Sequence, residues 1–214
     1  GKVPILVGGT GLYLDSLVYG IEYNDIKIDE QYRKSLEQIA DKEGLQVLYN
    51  KAKEIDSKAM EKISPNDKKR IIRVLEIYKA TGKTKTEQEI LSRQNEIPYD
   101  YKVFAINMDR QVLYDRINKR VDIMIKQGLV EEVKEIARKY KKYPTAMQAL
   151  GYKEIKEHLD GHLTLEEAIE KVKQESRRYA KRQLTWFRKN KQTIWLDGSN
   201  DRQNNINIIL EGIN

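Results

Sequence analysis

Val3-Pro4-Ile5-Leu6-Val7-Gly8-Gly9-Thr10-Gly11-Leu12-Tyr13-Leu14-Asp15-Ser16-Leu17-Val18-Tyr19 is the stretch that sets the fold class. It holds an unbroken apolar run, a glycine-rich turn, and an apolar segment that stops at Gly20. Together they read as strand, turn and helix, half of a βαβ unit. The run is of the kind buried in parallel sheets, where a strand has neighbours on both sides. Little precedes it here, so the sequence reads as part of a longer protein. Free backbone N–H groups at the start of the following helix can hold an anion. Thr10 suits the cap, with its hydroxyl at the carboxyl end of the strand, where open α/β sheets hold ligands. A purely structural turn would look the same. It is not a Walker loop, since no Gly-Lys-Ser/Thr follows.

Working outward, residues 29–93 are helical in pattern: 29–43 ending at Gly44, 45–55, 57–63, and a helix launched by Ser64-Pro65-Asn66-Asp67. That launch has serine at the N-cap, proline at N1 and an acid at N3, and the helix runs to Ala80 and stops at Gly82. Gly82-Lys83-Thr84 imitates a phosphate loop but ends a helix, and Ile77 stands where the loop would need glycine. Lys68, Lys69, Arg70 and Arg73 make a basic cluster that a solvated face also explains. Periodicity switches at residues 101–108, which read as a strand, and Asp109 caps a helix over 110–127. A second strand this far from the first makes the helical stretch an insertion: 1–25 and 101–214 form the α/β core, and 26–100 the helical insertion domain. On the 110–127 helix, Arg116 and Arg120 are i,i+4 neighbours. Paired guanidinium groups can clamp a diphosphate, although pairing with Asp115 or Asp122 would look alike. The helix over 129–140 precedes a short one over 145–153, interrupted by glycine, and another over 154–159 that closes at Gly161. Thr164 and Glu167 form a capping box that launches a long helix. Residues 193–196 read as a third strand and 205–210 as a weak terminal helix.

The charge is concentrated in that long helix. Residues 171–191 carry nine cations against Glu175 alone, while the whole chain of 214 residues is only +7. At about 100° per residue, Arg177, Arg178, Lys181, Arg182, Thr185, Arg188 and Lys189 fall within an arc of roughly 140°. Tyr179, Ala180, Leu184, Trp186 and Phe187 lie opposite, as a face expected to anchor into a core. A cationic face with almost no acids suits a ladder of phosphates better than a single small anion. The absence of cysteine excludes a disulfide scaffold and any thiolate zinc site. The only histidines, His158 and His162, lie beside an Asp-Gly turn and make a histidine-based triad or metal site improbable. No apolar run approaches the roughly 20 residues that span a bilayer, so no membrane partner is expected.

Five motifs in order resemble one known family: GGTGLYL, PNDKKRIIRVLEIYKATGK, DRQVLYDRINKRVDIMIKQGLVEEV, ALGYKEIKEHL and RRYAKRQLTWFRKNK. Over nearly the whole chain the sequence is similar to tRNA dimethylallyltransferase. The resemblance implies an α/β fold with a partial P-loop-type parallel sheet and an all-helical insertion. It implies transfer of a dimethylallyl group from dimethylallyl diphosphate to N6 of the adenine beside the tRNA anticodon, with Mg²⁺ assisting. Thr10 then corresponds to the threonine close to the reacting amine, and Arg116 or Arg120 holds the diphosphate. Contacts to tRNA fall on Lys69, Arg70, Arg73, Gln148, Gly151, Tyr152, Lys153, Arg177, Lys181, Arg182, Gln183, Thr185, Trp186 and Arg188. The family's phosphate-binding loop and general-base aspartate are absent from these residues. The expectation is therefore a cytoplasmic monomer whose 214 residues do not prenylate tRNA by themselves, with the Mg²⁺ ligands in the missing segment. An RNA-binding module without chemistry, or a transferase acting on free adenine nucleotides, are the alternatives.

Overall fold

A computed structural model describes residues 2–21, 27, 29–94, 96–97, 99–140, 145–199 and 201–213. Two compact units emerge, one made of residues 12–100 and the other of residues 1–11 with 101–214. The expected boundary after residue 25 lies outside the described residues.

The helical unit takes in α1 (Gly11–Val18) from Leu12 onward and is built from α2 (Glu30–Lys42), α3 (Leu45–Ile55), α4 (Ser57–Met60), α5 (Lys68–Thr81) and α6 (Lys85–Leu91). Local sequence places most of these ends. Asp29 caps α2 by accepting the N–H groups of Gln31 and Tyr32, both at 3.0 Å. Gly82, at φ 67°, gives α5 the left-handed terminus that a side chain would resist. In α5, Ile71, Val74 and Leu75 recur at helical spacing and are buried, meeting Leu36 of α2, Leu48 and Ala52 of α3 and Met60 of α4. Two carboxylates are buried beside this core. Glu76 takes a bidentate ion pair from Arg33 at 2.6 and 2.8 Å. Asp56 caps α4 through the Ala59 N–H at 3.0 Å and receives the Thr86 N–H and hydroxyl at 2.8 and 2.6 Å.

Two local expectations are corrected here. The cap of α5 is Asp67, which accepts the Arg70 N–H at 3.1 Å, and not Ser64. Ser64 instead closes a turn, its carbonyl accepting the Asp67 N–H at 2.9 Å, so the helix starts one turn later. The helix expected over 57–63 ends at Met60. Thr84 and Glu87 form a capping box that starts α6 as a separate helix.

The second unit holds β1 (Phe104–Asn107), α7 (Arg110–Lys126), α8 (Leu129–Lys139), a 3₁₀ turn over Ala146–Gln148, α9 (Tyr152–Leu159), α10 (Leu165–Phe187), β2 (Ile194–Asp197) and α11 (Arg202–Ile213). β1 and β2 pair in parallel, Phe104 opposite Ile194 through Asn107 opposite Asp197. A parallel pair needs a crossover, and α7 to α10 supply it. Leu129 and Val133 of α8, Met147, Ile155 of α9 and Ala168 of α10 form its core. The fold is thus α/β, a small parallel sheet flanked by helices, with an all-helical unit between its sequence segments.

The strand expected over residues 3–7 does not form. Val3, Ile5, Leu6 and Val7 are 61–93% exposed, and no described residue pairs with them as a strand. An apolar run becomes a strand only where another backbone satisfies its N–H and C=O groups. α9 begins at Tyr152 rather than Glu154, because the Gly151 N–H is satisfied by the buried Glu154 carboxylate at 2.9 Å. No described helix is long and apolar enough to cross a membrane.

Candidate functional site

The capping box predicted for α10 is present: Thr164 Oγ1 accepts the Glu167 N–H at 3.1 Å, and Glu167 accepts the Thr164 N–H at 2.8 Å. Ala168 and Val172 bury the first half of the helix. The cations of that half are neutralised locally. Lys171 meets Glu157 at 2.5 Å, Lys173 meets Asp122 at 2.8 Å and Glu170 at 3.0 Å, and Arg178 meets Glu175 at 2.6 Å. The Lys171 partnership holds the Glu157 carboxyl below its ordinary range, chiefly through the hydrogen bond. Arg177 is half-buried and donates to the Asn118 side chain of α7 at 2.6 Å, so it is not part of an open face.

Beyond Tyr179 the pattern changes. Lys181, Arg182, Arg188 and Lys189 are exposed, and none has a carboxylate partner among the described residues. Thr185 donates its hydroxyl to the Lys181 carbonyl at 2.9 Å. The helix ends at Phe187 with Arg188 as its C-cap, so Lys189 and Lys191 follow the helix rather than extending its face. Cations at a helix C-terminus are favoured by its dipole without needing acids. The opposite face is less buried than expected: Tyr179 is 42% exposed, with Arg182 5.8 Å from its ring centre, and Trp186, Leu184 and Phe187 are only half-buried.

The glycine turn lies against this same end of α10. Gln183 Nε2 donates to the Gly9 carbonyl at 2.8 Å. A Cβ on Gly11 would stand 2.2 Å from Trp186 Cδ1, so only glycine admits the indole there. Thr10, exposed, is held between the two contacts. The sequence offers no signal for this pairing, since Gly9 and Gln183 are separated by 174 positions.

On α7, Arg116 and Arg120 are exposed, and the acids that a structural explanation would use are occupied elsewhere. Asp115 accepts from Gln111 at 3.0 Å and Asp122 from Lys173 at 2.8 Å. Neither arginine has a carboxylate partner among the described residues. Met147 anchors the turn before α9, leaving Gln148 exposed; Gly151 is buried at φ 94° and Lys153 is exposed. Tyr152 donates its hydroxyl to Glu132, and that bond, with burial, pushes its pKa up.

In the helical unit, Arg70 pairs with Asp67 at 3.1 Å and Arg73 with Glu76 at 3.5 Å, while Lys68 reaches Asp41 at 2.6 Å. Lys69 is exposed beside a shallow depression lined by Ser64, Asn66, Asp67 and Lys68. His158 Nδ1 sits 3.0 Å from the Leu163 carbonyl. Mg²⁺ needs several oxygen donors in octahedral arrangement. No three Asp, Glu, His or Cys side chains stand together among the described residues.

The sequence matches the family described as IPPT, IPP transferase, over residues 1–190. It is 50% identical over 198 residues to a tRNA dimethylallyltransferase of Acetivibrio thermocellus, covering 92% of this chain and 63% of that protein. It is 47% identical to the tRNA dimethylallyltransferase of Halalkalibacterium halodurans, again over 92% and 63%. The chain therefore spans somewhat under two thirds of the curated relatives it matches. Among solved structures it is similar to the full-length tRNA isopentenylpyrophosphate transferase of Bacillus halodurans, with TM-score 0.60, 42% identity, and 95% and 63% of the two chains covered. A eukaryotic dimethylallyltransferase acting on tRNA gives TM-score 0.69 at 28% identity, over 99% and 57%.

Proposed function

The chain belongs to the IPP transferase family, and from that premise we propose that the whole protein transfers a dimethylallyl group to tRNA. The donor is dimethylallyl diphosphate and the acceptor is N6 of the adenine next to the anticodon. The observation that carries this reading is the contact between the Thr10 turn and the unneutralised end of α10, through Gln183 and Gly9. It puts a hydroxyl suited to orienting an amine beside a positive surface suited to RNA phosphates.

The step balances without a redox partner. The N6 lone pair forms a bond to the first carbon of the allyl group, the C–O bond to diphosphate breaks, and diphosphate leaves with the electron pair. N6 then passes a proton to the general-base aspartate that the family carries outside these residues. The Thr10 hydroxyl orients the amine by hydrogen bonding. Arg116 and Arg120 face the charge that grows on the leaving diphosphate, and two planar, permanently charged groups suit that task. The adenine must leave its stack to be reached. Lys181, Arg182 and Arg188 hold the RNA backbone, with Thr185 of the same segment and Gln148, Gly151, Tyr152 and Lys153 before it. Lys69, Arg70 and Arg73 add contacts from the helical unit. Mg²⁺ would neutralise the diphosphate in the whole enzyme, and no step here depends on it. The site of action follows the substrate, in the cytoplasm.

An RNA-binding role without chemistry is favoured by one observation: the cationic end of α10 suffices for binding by itself. The two readings agree on these 214 residues and separate in the whole protein. The 214 residues bind tRNA with steep salt dependence and transfer no labelled dimethylallyl group, since their sequence holds no Gly-Lys-Ser/Thr phosphate loop after a strand. In the whole protein, Thr10→Ala lowers turnover and leaves tRNA affinity in place. Equal competition by AMP and tRNA would instead indicate a free-nucleotide substrate.

A further inference from the structure

Gln183 and Trp186 stand about one turn apart on α10, and both meet the glycine turn, while Lys189 Nζ lies 4.5 Å from the Trp186 ring centre. The Gln183 amide donates to the carbonyl of Gly9, the residue before Thr10, at 2.8 Å. The Trp186 indole fills the place of a side chain on Gly11, the residue after it, with Cδ1, Nε1 and Cγ at 2.2–2.6 Å from where a Cβ would be. Little else among the described residues fixes this turn. The segment before it is exposed and unpaired, and α1 after it has no buried residue.

We infer that Gln183 and Trp186 are positioning residues that set the backbone on which Thr10 is presented, rather than contacts to RNA. The inference rests on the reading of Thr10 as the group that orients the reacting amine. An amide at residue 183 donates to a carbonyl, whereas a carboxylate of the same size sets acceptor against acceptor. Gln183→Glu therefore frees the turn without opening a cavity.

The test uses the whole protein with tRNA and dimethylallyl diphosphate. If the unaltered enzyme transfers nothing, the functional reading fails, and the contact is then judged by fluorescence alone. With an active enzyme, Gln183→Glu is expected to lower kcat about tenfold, with tRNA Kd and the KM for the donor within about twofold. Combined with Thr10→Ala it adds less than about twofold to the loss from Thr10→Ala alone, because the two act through one group. Gln183→Met, which lacks the donor and carries no charge, gives the same split if the acid impairs folding. A loss of tRNA affinity with kcat retained, or fully multiplicative losses, would overturn the inference. The spectroscopic arm uses this chain with Trp195→Phe, so that Trp186 is the sole indole. Gly11→Ala then shifts its emission to the red, and an unmoved spectrum would equally overturn the assignment.

Discussion

At the start of α5, Lys68, Arg70 and Arg73 each meet a carboxylate, at 2.6, 3.1 and 3.5 Å. At the end of α10, Lys181, Arg182 and Arg188 meet none among the described residues. Both segments are basic in sequence, yet one is largely neutralised by its own unit and the other is left open to a polyanion. The difference lies in what flanks them. Asp41, Asp67 and Glu76 stand within reach of α5, whereas no acid follows Glu175 until Asp197. A count of cations alone does not distinguish the two cases.

The strongest way to sharpen the contrast is Glu76→Ala. It leaves Arg33 and Arg73 without their shared buried partner, and since both side chains are about 40% exposed and can turn to water, the expected loss is about 3 kcal/mol, the low end for a broken buried pair. Denaturant unfolding of the helical unit measures it. Reversing Lys181, Arg182 and Arg188 to glutamate comes next. It should weaken tRNA binding by about a hundredfold at low salt and flatten the plot of log affinity against log salt by about three units, one phosphate for each cation. Binding left intact would break the comparison outright.

Asp56→Asn is expected to remove about 1–2 kcal/mol from the helical unit, by weakening the bonds from Ala59 and Thr86. Burial raises the pKa of this carboxyl, but the Thr86 hydroxyl, the Ala59 and Thr86 N–H groups and Lys85 together outweigh it and hold it below the usual value. A depressed folded-state pKa means stability present above the unfolded value of about 3.9 and lost as pH falls further. Acid titration of the thermal midpoint below about pH 4 should thus be shallower in the asparagine variant. The smallest effect is predicted for Arg70→Ala, about threefold on tRNA affinity, because Arg70 must leave Asp67 to reach a phosphate. A loss as large as that of the α10 reversal would erase the distinction.

Features whose cause is local could be read from sequence. Asp29, Asp109 and the Thr164–Glu167 box fix their helix ends through residues two or three positions away. The split between a helical stretch and a sheet was legible in the change of period near residue 101. Residues 3–7 have the propensity of a strand but form none, because propensity specifies no partner. Ser64 and Asp67 both carry good capping side chains, and only the preceding turn gives the cap to Asp67. The neutralisation of Lys173 by Asp122, the bond from Arg177 to Asn118 and the docking of Gln183 on Gly9 join distant positions. No spacing rule reaches them. The exposed cations and Thr10 were therefore visible one by one, and their adjacency was not.

The parallel pairing of Phe104–Asn107 with Ile194–Asp197 has a consequence for how the polypeptide is made. A ribosome delivers residues 12–100, which form one compact unit from a single continuous segment, well before β2 exists. That bundle can settle during synthesis, while its host sheet waits for β2 to emerge. Pulse-labelled nascent chains arrested near residue 170 should already resist protease across 30–91 and remain cleavable at β1.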